Sequence, residues 1–179
     1  MSLRSQSFLW FFFALIVLLT ASCTSVQLSD YAHQKPQFDM REYFNGRVVA
    51  YGIVQDRSGK VIRRMTVDML CSWQGDTGTL DEHFAYADGK KERRVWTIKK
   101  QNDRYSGTAA DVVGEAVGAA AGNALNWKYV LALPVGDKVY NVHFDDWMWQ
   151  IDDTIIINRA VFSKFGFQLG EVLITFYKK

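Results

Sequence analysis

Turn signals recur along this chain at a spacing of roughly 10 to 15 residues, and the runs between them are short and rich in Val, Ile, Thr and aromatic residues. The turns are Arg57-Ser58-Gly59-Lys60, Gly75-Asp76-Thr77-Gly78, Asp88-Gly89-Lys90, Gln101-Asn102-Asp103-Arg104, Gly136-Asp137 and Asp152-Asp153. Segments this short, joined this tightly, pair with their sequence neighbours as an antiparallel meander. Strands are expected near 47–56, 61–74, 79–87, 91–100, 105–116, 124–135, 138–149, 154–165 and 167–177, roughly eight or nine in all. A meander of this length closes most economically on itself, because closure removes the edges that invite aggregation. The expected fold is all-β: a single up-and-down antiparallel β-barrel over residues 39–179. A two-sheet sandwich is the alternative with similar hairpins. An eight-stranded interior is either filled by side chains or holds one small ligand.

A short helix is expected ahead of the barrel. Asp39 and Glu42 have capping-box spacing, Tyr43-Phe44 supply an apolar side, and Asn45-Gly46 ends it. The run around Gly114, Gly118 and Gly122 reads as a hairpin of small residues where the wall is pinched, with a short helix across a barrel mouth as the alternative. A membrane-spanning barrel is disfavoured. Strand 61–74 carries Arg63, Arg64 and Asp68, and strand 91–100 carries Lys91, Glu92, Arg93 and Arg94, so charges on both faces would leave some in lipid.

The leading residues carry an address. The unbroken apolar run Phe8–Leu19 follows Arg4 and is short of the roughly 20 residues that a transmembrane helix needs. It runs into Thr20-Ala21-Ser22-Cys23, the ending of a bacterial lipoprotein signal. Residues 1–22 are therefore expected to be removed and Cys23 to be lipidated. Residues 23–38 then form a tether to the membrane. Thr24 is not the Asp of an inner-membrane retention signal, so the expected site is the outer membrane, facing the periplasm. With Cys23 acylated, Cys71 is left without a disulfide partner, and its place in Met69-Leu70-Cys71 marks it as a buried small hydrophobe. A formal net charge of +2 gives no electrostatic case for nucleic acid. The protein partner, if there is one, is not legible.

Tyr43-Phe44-Asn45-Gly46, Ala50-Tyr51-Gly52, Arg93-Arg94-Val95-Trp96, Gly122-Asn123-Ala124-Leu125-Asn126-Trp127, Phe144-Asp145-Asp146-Trp147-Met148 and Ser163-Lys164-Phe165-Gly166 span nearly the whole chain after Cys23. Together they resemble a bacterial lipoprotein family of proteobacterial envelopes that is catalogued as a domain of unknown function. That resemblance implies no known activity and points toward lipids. The chain is also similar to lipocalins, which place a short helix and an aromatic-x-Gly before the first strand and a basic residue late in the barrel. Phe44 and Gly46 match the first pattern, and Arg159 is the candidate for the second.

Few residues suggest chemistry. On a strand, Asp145, Trp147 and Trp149 share one face, and Phe144, Asp146 and Met148 the other. The indoles with one carboxylate read either as a pocket wall for an apolar ligand or as an ordinary core strand with a paired Asp. Arg159 shares a face with Ile155, Ile157 and Val161, and either binds an acyl carboxylate or closes a barrel end. Trp96, Trp127 and Tyr129 are further wall candidates. Lys90-Lys91-Glu92-Arg93-Arg94 reads as a solvated face or a contact for anionic lipid heads. His33, His83 and His143 form no metal spacing, no cofactor motif is present, and no Gly-x-Ser-x-Gly occurs. Binding or carriage of a fatty-acyl or lipid ligand is the first expectation. A filled barrel serving structure or a partner is the second. A lipid-acting hydrolase or isomerase around His143, Asp145 and Asp146 is the third.

Overall fold

The computed structural model describes residues 25–179. The expected signal segment 1–22 and the acylation residue Cys23 lie outside the described residues. A 3-10 turn, Leu28–Tyr31, and a one-turn helix α1, Met40–Tyr43, precede ten strands. These are β1 Gly46–Asp56, β2 Val61–Gln74, β3 Thr77–Tyr86, β4 Lys91–Gln101, β5 Arg104–Thr108, β6 Ala116–Ala121, β7 Ala124–Val135, β8 Lys138–Gln150, β9 Ile155–Lys164 and β10 Phe167–Lys178. Each strand pairs antiparallel with its sequence neighbour, and β1 pairs with β10 from Val48 opposite Lys178 to Asp56 opposite Gly170. The sheet is therefore a closed up-and-down barrel, as the turn spacing predicts.

The strand number is ten rather than eight or nine, and the difference arises in one place. The stretch expected as a strand over 105–116 is β5 followed by a loop at 109–115, and the small-residue run forms β6, turned into β7 at Gly122-Asn123. The pinch expected there is real. A Cβ on Gly118 would stand 2.6 Å from the Trp127 ring and 2.4 Å from the Asn126 carbonyl oxygen. A Cβ on Gly107 of β5 would meet Ile98 at 2.7 Å and the same indole at 3.1 Å. Two glycines thus let one tryptophan lie flat against the inside of the wall.

Ten strands enclose a wider interior than eight, which wall side chains alone just fill. At the end where β1 begins, the surplus is taken up by a plug. Phe38, Met40, Tyr43 and Phe44 are buried and pack with Val48, Met69, Leu125, Ile156 and Phe176. Asp39 caps α1, accepting from the Arg41 backbone N–H at 2.9 Å, and forms an ion pair with Lys100. The Tyr43 hydroxyl donates to the carbonyl oxygens of Thr154 (2.8 Å) and Phe176 (3.0 Å), and the Trp73 indole donates to the Phe44 carbonyl oxygen at 2.8 Å. The plug is therefore sewn to several strands at once. Cys71 is buried among these residues, and burial pushes its thiol up to about 12, which suits an inert core residue.

The segment before α1, expected as a tether, lies partly against the barrel. Phe38 N–H donates to the Gly122 carbonyl oxygen at 2.7 Å. Gly122 has φ +54, and a Cβ there would collide with the Tyr31 carbonyl oxygen. The β1–β10 pairing closes the sheet, so all ten strands find both of their partners between Gly46 and Lys178, and the plug comes from residues 38–44.

Candidate functional site

The half of the barrel away from the plug is built differently. Interior-facing Phe84, Tyr86, Tyr129, Phe144 and Phe162 are only half-buried, although the wall covers their backs. Their rings form a ladder. Tyr129 stacks on Phe144 (5.0 Å, 7°), Phe144 on Phe162 (5.5 Å, 29°), and Phe84 on Tyr86 (6.1 Å, 12°). Cross-strand register makes the first two stacks, since Tyr129, Phe144 and Phe162 stand opposite one another on β7, β8 and β9. Trp96 meets Tyr129 edge-on at 5.6 Å and Trp127 at 5.9 Å, and marks the boundary with the filled half.

Polar groups gather on the same boundary. Asp146 of β8 is 6% exposed. It accepts from the Tyr129 hydroxyl at 3.3 Å and from the Asn158 amide. Asn158 also donates to the Trp147 carbonyl oxygen at 2.9 Å. Burial raises the Asp146 carboxyl to about 7, against the pull of the Asn158 and Tyr129 bonds. Glu82 of β3 is the second enclosed carboxyl. Burial raises it to about 7, the Asp111 and Asp146 charges add to this, and Arg94 opposes it. Its Oε2 is buried and lacks a hydrogen-bond partner, with Arg94 Nη1 at 3.8 Å. Native interiors leave few such atoms, because an unpaired buried acceptor costs about 1–3 kcal/mol.

Arg94 guards a discontinuity in the wall. β4 pairs with β5 only from Thr97 to Gln101, so Lys91–Trp96 have a ladder partner on β3 alone. The loop at 109–115 stands in the gap, fastened to β7 by a Val112–Leu131 bridge and by Val113 N–H donating to the Val130 carbonyl oxygen at 2.8 Å. This holds Asp111 facing Arg94, whose Nε and Nη2 donate to its carboxylate at 3.0 and 2.7 Å. Burial works against the Arg94 charge, but the Asp111 bonds and the Glu82 charge outweigh it, so its pKa lies above the ordinary value. The seam is closed by side chains rather than by a backbone ladder. Arrangements of this kind bind a small molecule through an aromatic wall and a few placed polar atoms.

Of the expected wall residues, Trp96, Trp127 and Tyr129 face the interior, the first two deep in the core and Tyr129 at the boundary. Trp147, Trp149, Asp145 and Arg159 lie on the outer wall, contrary to the expectation that they line a pocket. The two indoles stack on each other (6.0 Å, 13°) and are covered from outside by Tyr31 at 6.0 and 6.3 Å. Asp145 accepts from Asn126 at 2.6 Å. Arg159, the expected inward anchor, pairs with Glu171 at 2.7 Å on the surface. The alternation along β8 and β9 was legible, but the assignment of inside and outside was reversed. Each face of β8 carries two large apolar residues and one Asp, so composition did not separate them, and Tyr31 supplies the cover that the outer indoles need.

The hydrolase residues do not converge. His143 and Asp145 are exposed on the outside while Asp146 is inside. His83 stands 3.2 Å from Asp81, also on the outer wall. Sequence reasoning missed Glu82 and Asp111, and read Arg94 as part of a charged surface run. A signal was available: Glu82, Phe84 and Tyr86 alternate on one face of β3, as Glu92, Arg94 and Trp96 do on β4. Charged residues in phase with large aromatic ones mark an interior polar site. Among the described residues, no group of three or more His, Cys, Asp and Glu is placed to hold a metal ion.

No match was found among curated proteins. Residues 17–178 match the family described as a protein of unknown function (DUF3833), and the chain belongs to that family.

Proposed function

We propose that this chain is an outer-membrane lipoprotein of a proteobacterial envelope. It is acylated at Cys23 after removal of residues 1–22, faces the periplasm, and binds the apolar part of a fatty-acyl or lipid ligand in the open half of its barrel. One observation carries the ligand reading: a ladder of interior rings stays partly exposed above a buried carboxyl whose Oε2 accepts no hydrogen bond. Rings accept an acyl chain, and Glu82 accepts a hydrogen bond from a hydroxyl or amide at the ligand's polar end. Two carboxyls on one floor disfavour a carboxylate head there, so the ligand enters with a donor group leading. The ion pairs on the outer wall, Arg47–Asp68, Arg93–Asp81 and Arg159–Glu171, speak against strands that span a bilayer.

Calorimetric titration with a long-chain fatty alcohol and with the matching fatty acid tests this reading. The alcohol binds more tightly than the acid, and Glu82→Leu, which removes the acceptor, weakens the alcohol by about tenfold, the worth of one hydrogen bond to a buried carboxyl. Failure of both ligands to bind up to their solubility overturns it.

A second reading is a partner-binding module. The packing of the plugged half favours it, as do the positions of the concavities found. A recess of about 310 Å³ lies at Val61–Arg64, Ala87 and Asp88, and one of about 370 Å³ at Gln101–Arg104, both at hairpin tips and away from the indoles.

A further inference from the structure

The hairpin tips at the open end form a surface that the ligand reading does not explain. The β9–β10 turn is Phe165-Gly166, and the rings of Phe165 and of the adjoining Phe167 point into solvent: Phe165 is 85% exposed and Phe167 75%. Phe165 also sits at φ +52, a left-handed conformation that a bulky L-residue adopts at a cost. An Asn would take this position more cheaply, so the aromatic ring is held outward at some expense to the fold. The neighbouring β7–β8 tip does the same with aliphatic residues: Leu133, Val135 and Val139 are exposed around Gly136-Asp137. Single exposed apolar side chains are ordinary on a protein surface, but apolar residues gathered on adjacent tips at one end are a patch.

The charge around these tips is mostly of one sign. Lys60 lies on the β1–β2 tip, Lys91 beside the β3–β4 tip and Lys138 on the β7–β8 tip, each exposed and with no ion pair among the described residues. The acids nearby are largely spent within the protein. Asp56 accepts from Ser58 and from the Lys60 backbone N–H, Asp88 pairs with Arg63, and Glu92 pairs with Lys90. Asp137 and Glu115 are the exposed exceptions on this end. The leading segment and the plug occupy the opposite end, so these tips stand free.

We infer that the open rim docks on the surface of a second, anionic phospholipid bilayer, one that faces the end opposite the leading segment, with Phe165 and Phe167 entering the interface and the lysines meeting the head groups. Exposed rings together with basic residues on one face are the chemistry of interfacial attachment. Such contact sets the barrel mouth against the medium that would supply an acyl ligand. The inference goes beyond the ligand reading and stands without it, because attachment is measured with no ligand present.

The test uses residues 25–179, which lack the apolar run that would bind any vesicle. The protein is floated with vesicles of equal parts phosphatidylcholine and phosphatidylglycerol, and separately with phosphatidylcholine alone. It rises with the first and much less with the second. Phe165→Ser with Phe167→Ser lowers the bound fraction by about tenfold, and Lys60→Glu with Lys91→Glu and Lys138→Glu does the same, with thermal unfolding unchanged in both because all these side chains are exposed. Absence of the wild type from the anionic vesicles, equal flotation on both lipids, or undiminished flotation of the aromatic double variant overturns the inference.

Discussion

The carboxyls Glu82 and Asp146 set the chemistry of the interior, and each is raised to about 7 by burial. An unfolded Asp or Glu releases its proton near pH 4. Between about pH 4 and 7 the folded protein therefore holds more protons than the unfolded chain, and stability falls as pH rises through that window. The surface carboxylates act in the opposite direction at lower pH. Asp68 beside Arg47 and Asp81 beside Arg93 are depressed by those hydrogen bonds, so their contribution is present above pH 4 and disappears as they protonate below it. Asp146→Asn keeps an oxygen for Asn158 and removes one of the two opposing titrations. Chemical denaturation at a series of pH values is expected to show a wild-type loss of ~2–4 kcal/mol per raised carboxyl between pH 4 and 7, and a clearly shallower slope in the variant. A variant slope equal to that of the wild type means that Asp146 is ionised in the fold throughout that window, against this account.

At the scale of elements, the wall is shaped by where side chains are missing. β6 is made of small residues because the Trp127 ring occupies the space in front of it, and Gly118 stands opposite that residue in register. Gly118→Val is expected to cost about 2–4 kcal/mol, since the backbone oxygen it meets does not move aside and overpacking strains the core. Gly114→Ala, with open space around its Cβ position but φ +73, is expected to cost less, about 1 kcal/mol. Thermal unfolding of the two variants separates steric crowding from backbone strain, and equal losses contradict this account of β6. Much of this level was legible beforehand. The turn dipeptides located most of the hairpins, and Asp39 announced α1. The break at 109–115 was not, because Ala109-Ala110 and Val112-Val113 have the composition of a strand. The loop carries Asp111 to Arg94 on β4, a contact between residues distant in sequence that no local pattern announces. The direction of β8 was hidden for a similar reason: Tyr31, a residue ahead of the barrel, covers the outer indoles.

The molecule as a whole is a closed barrel with two unlike halves. One is stoppered by residues from its own leading segment and filled by indoles lying on glycines. The other is ring-lined and floored by carboxyls, with its rings partly exposed. Ten strands make this division possible, because an eight-stranded wall would leave little space above the plug. The barrel's class and antiparallel order followed from local sequence. The floor of the open half did not, since Glu82, Arg94, Asp111, Tyr129 and Asp146 come from different strands and a loop and meet only when the sheet closes. Native mass spectrometry of the full-length protein extracted from its own envelope bears most directly on the ligand proposal. The expected spectrum shows the chain beginning at an acylated Cys23 and carrying a reproducible additional mass of one acyl-bearing molecule, which is diminished in Glu82→Leu. A spectrum of the acylated chain alone, repeated across gentle extractions, contradicts ligand carriage and leaves the filled partner-binding barrel.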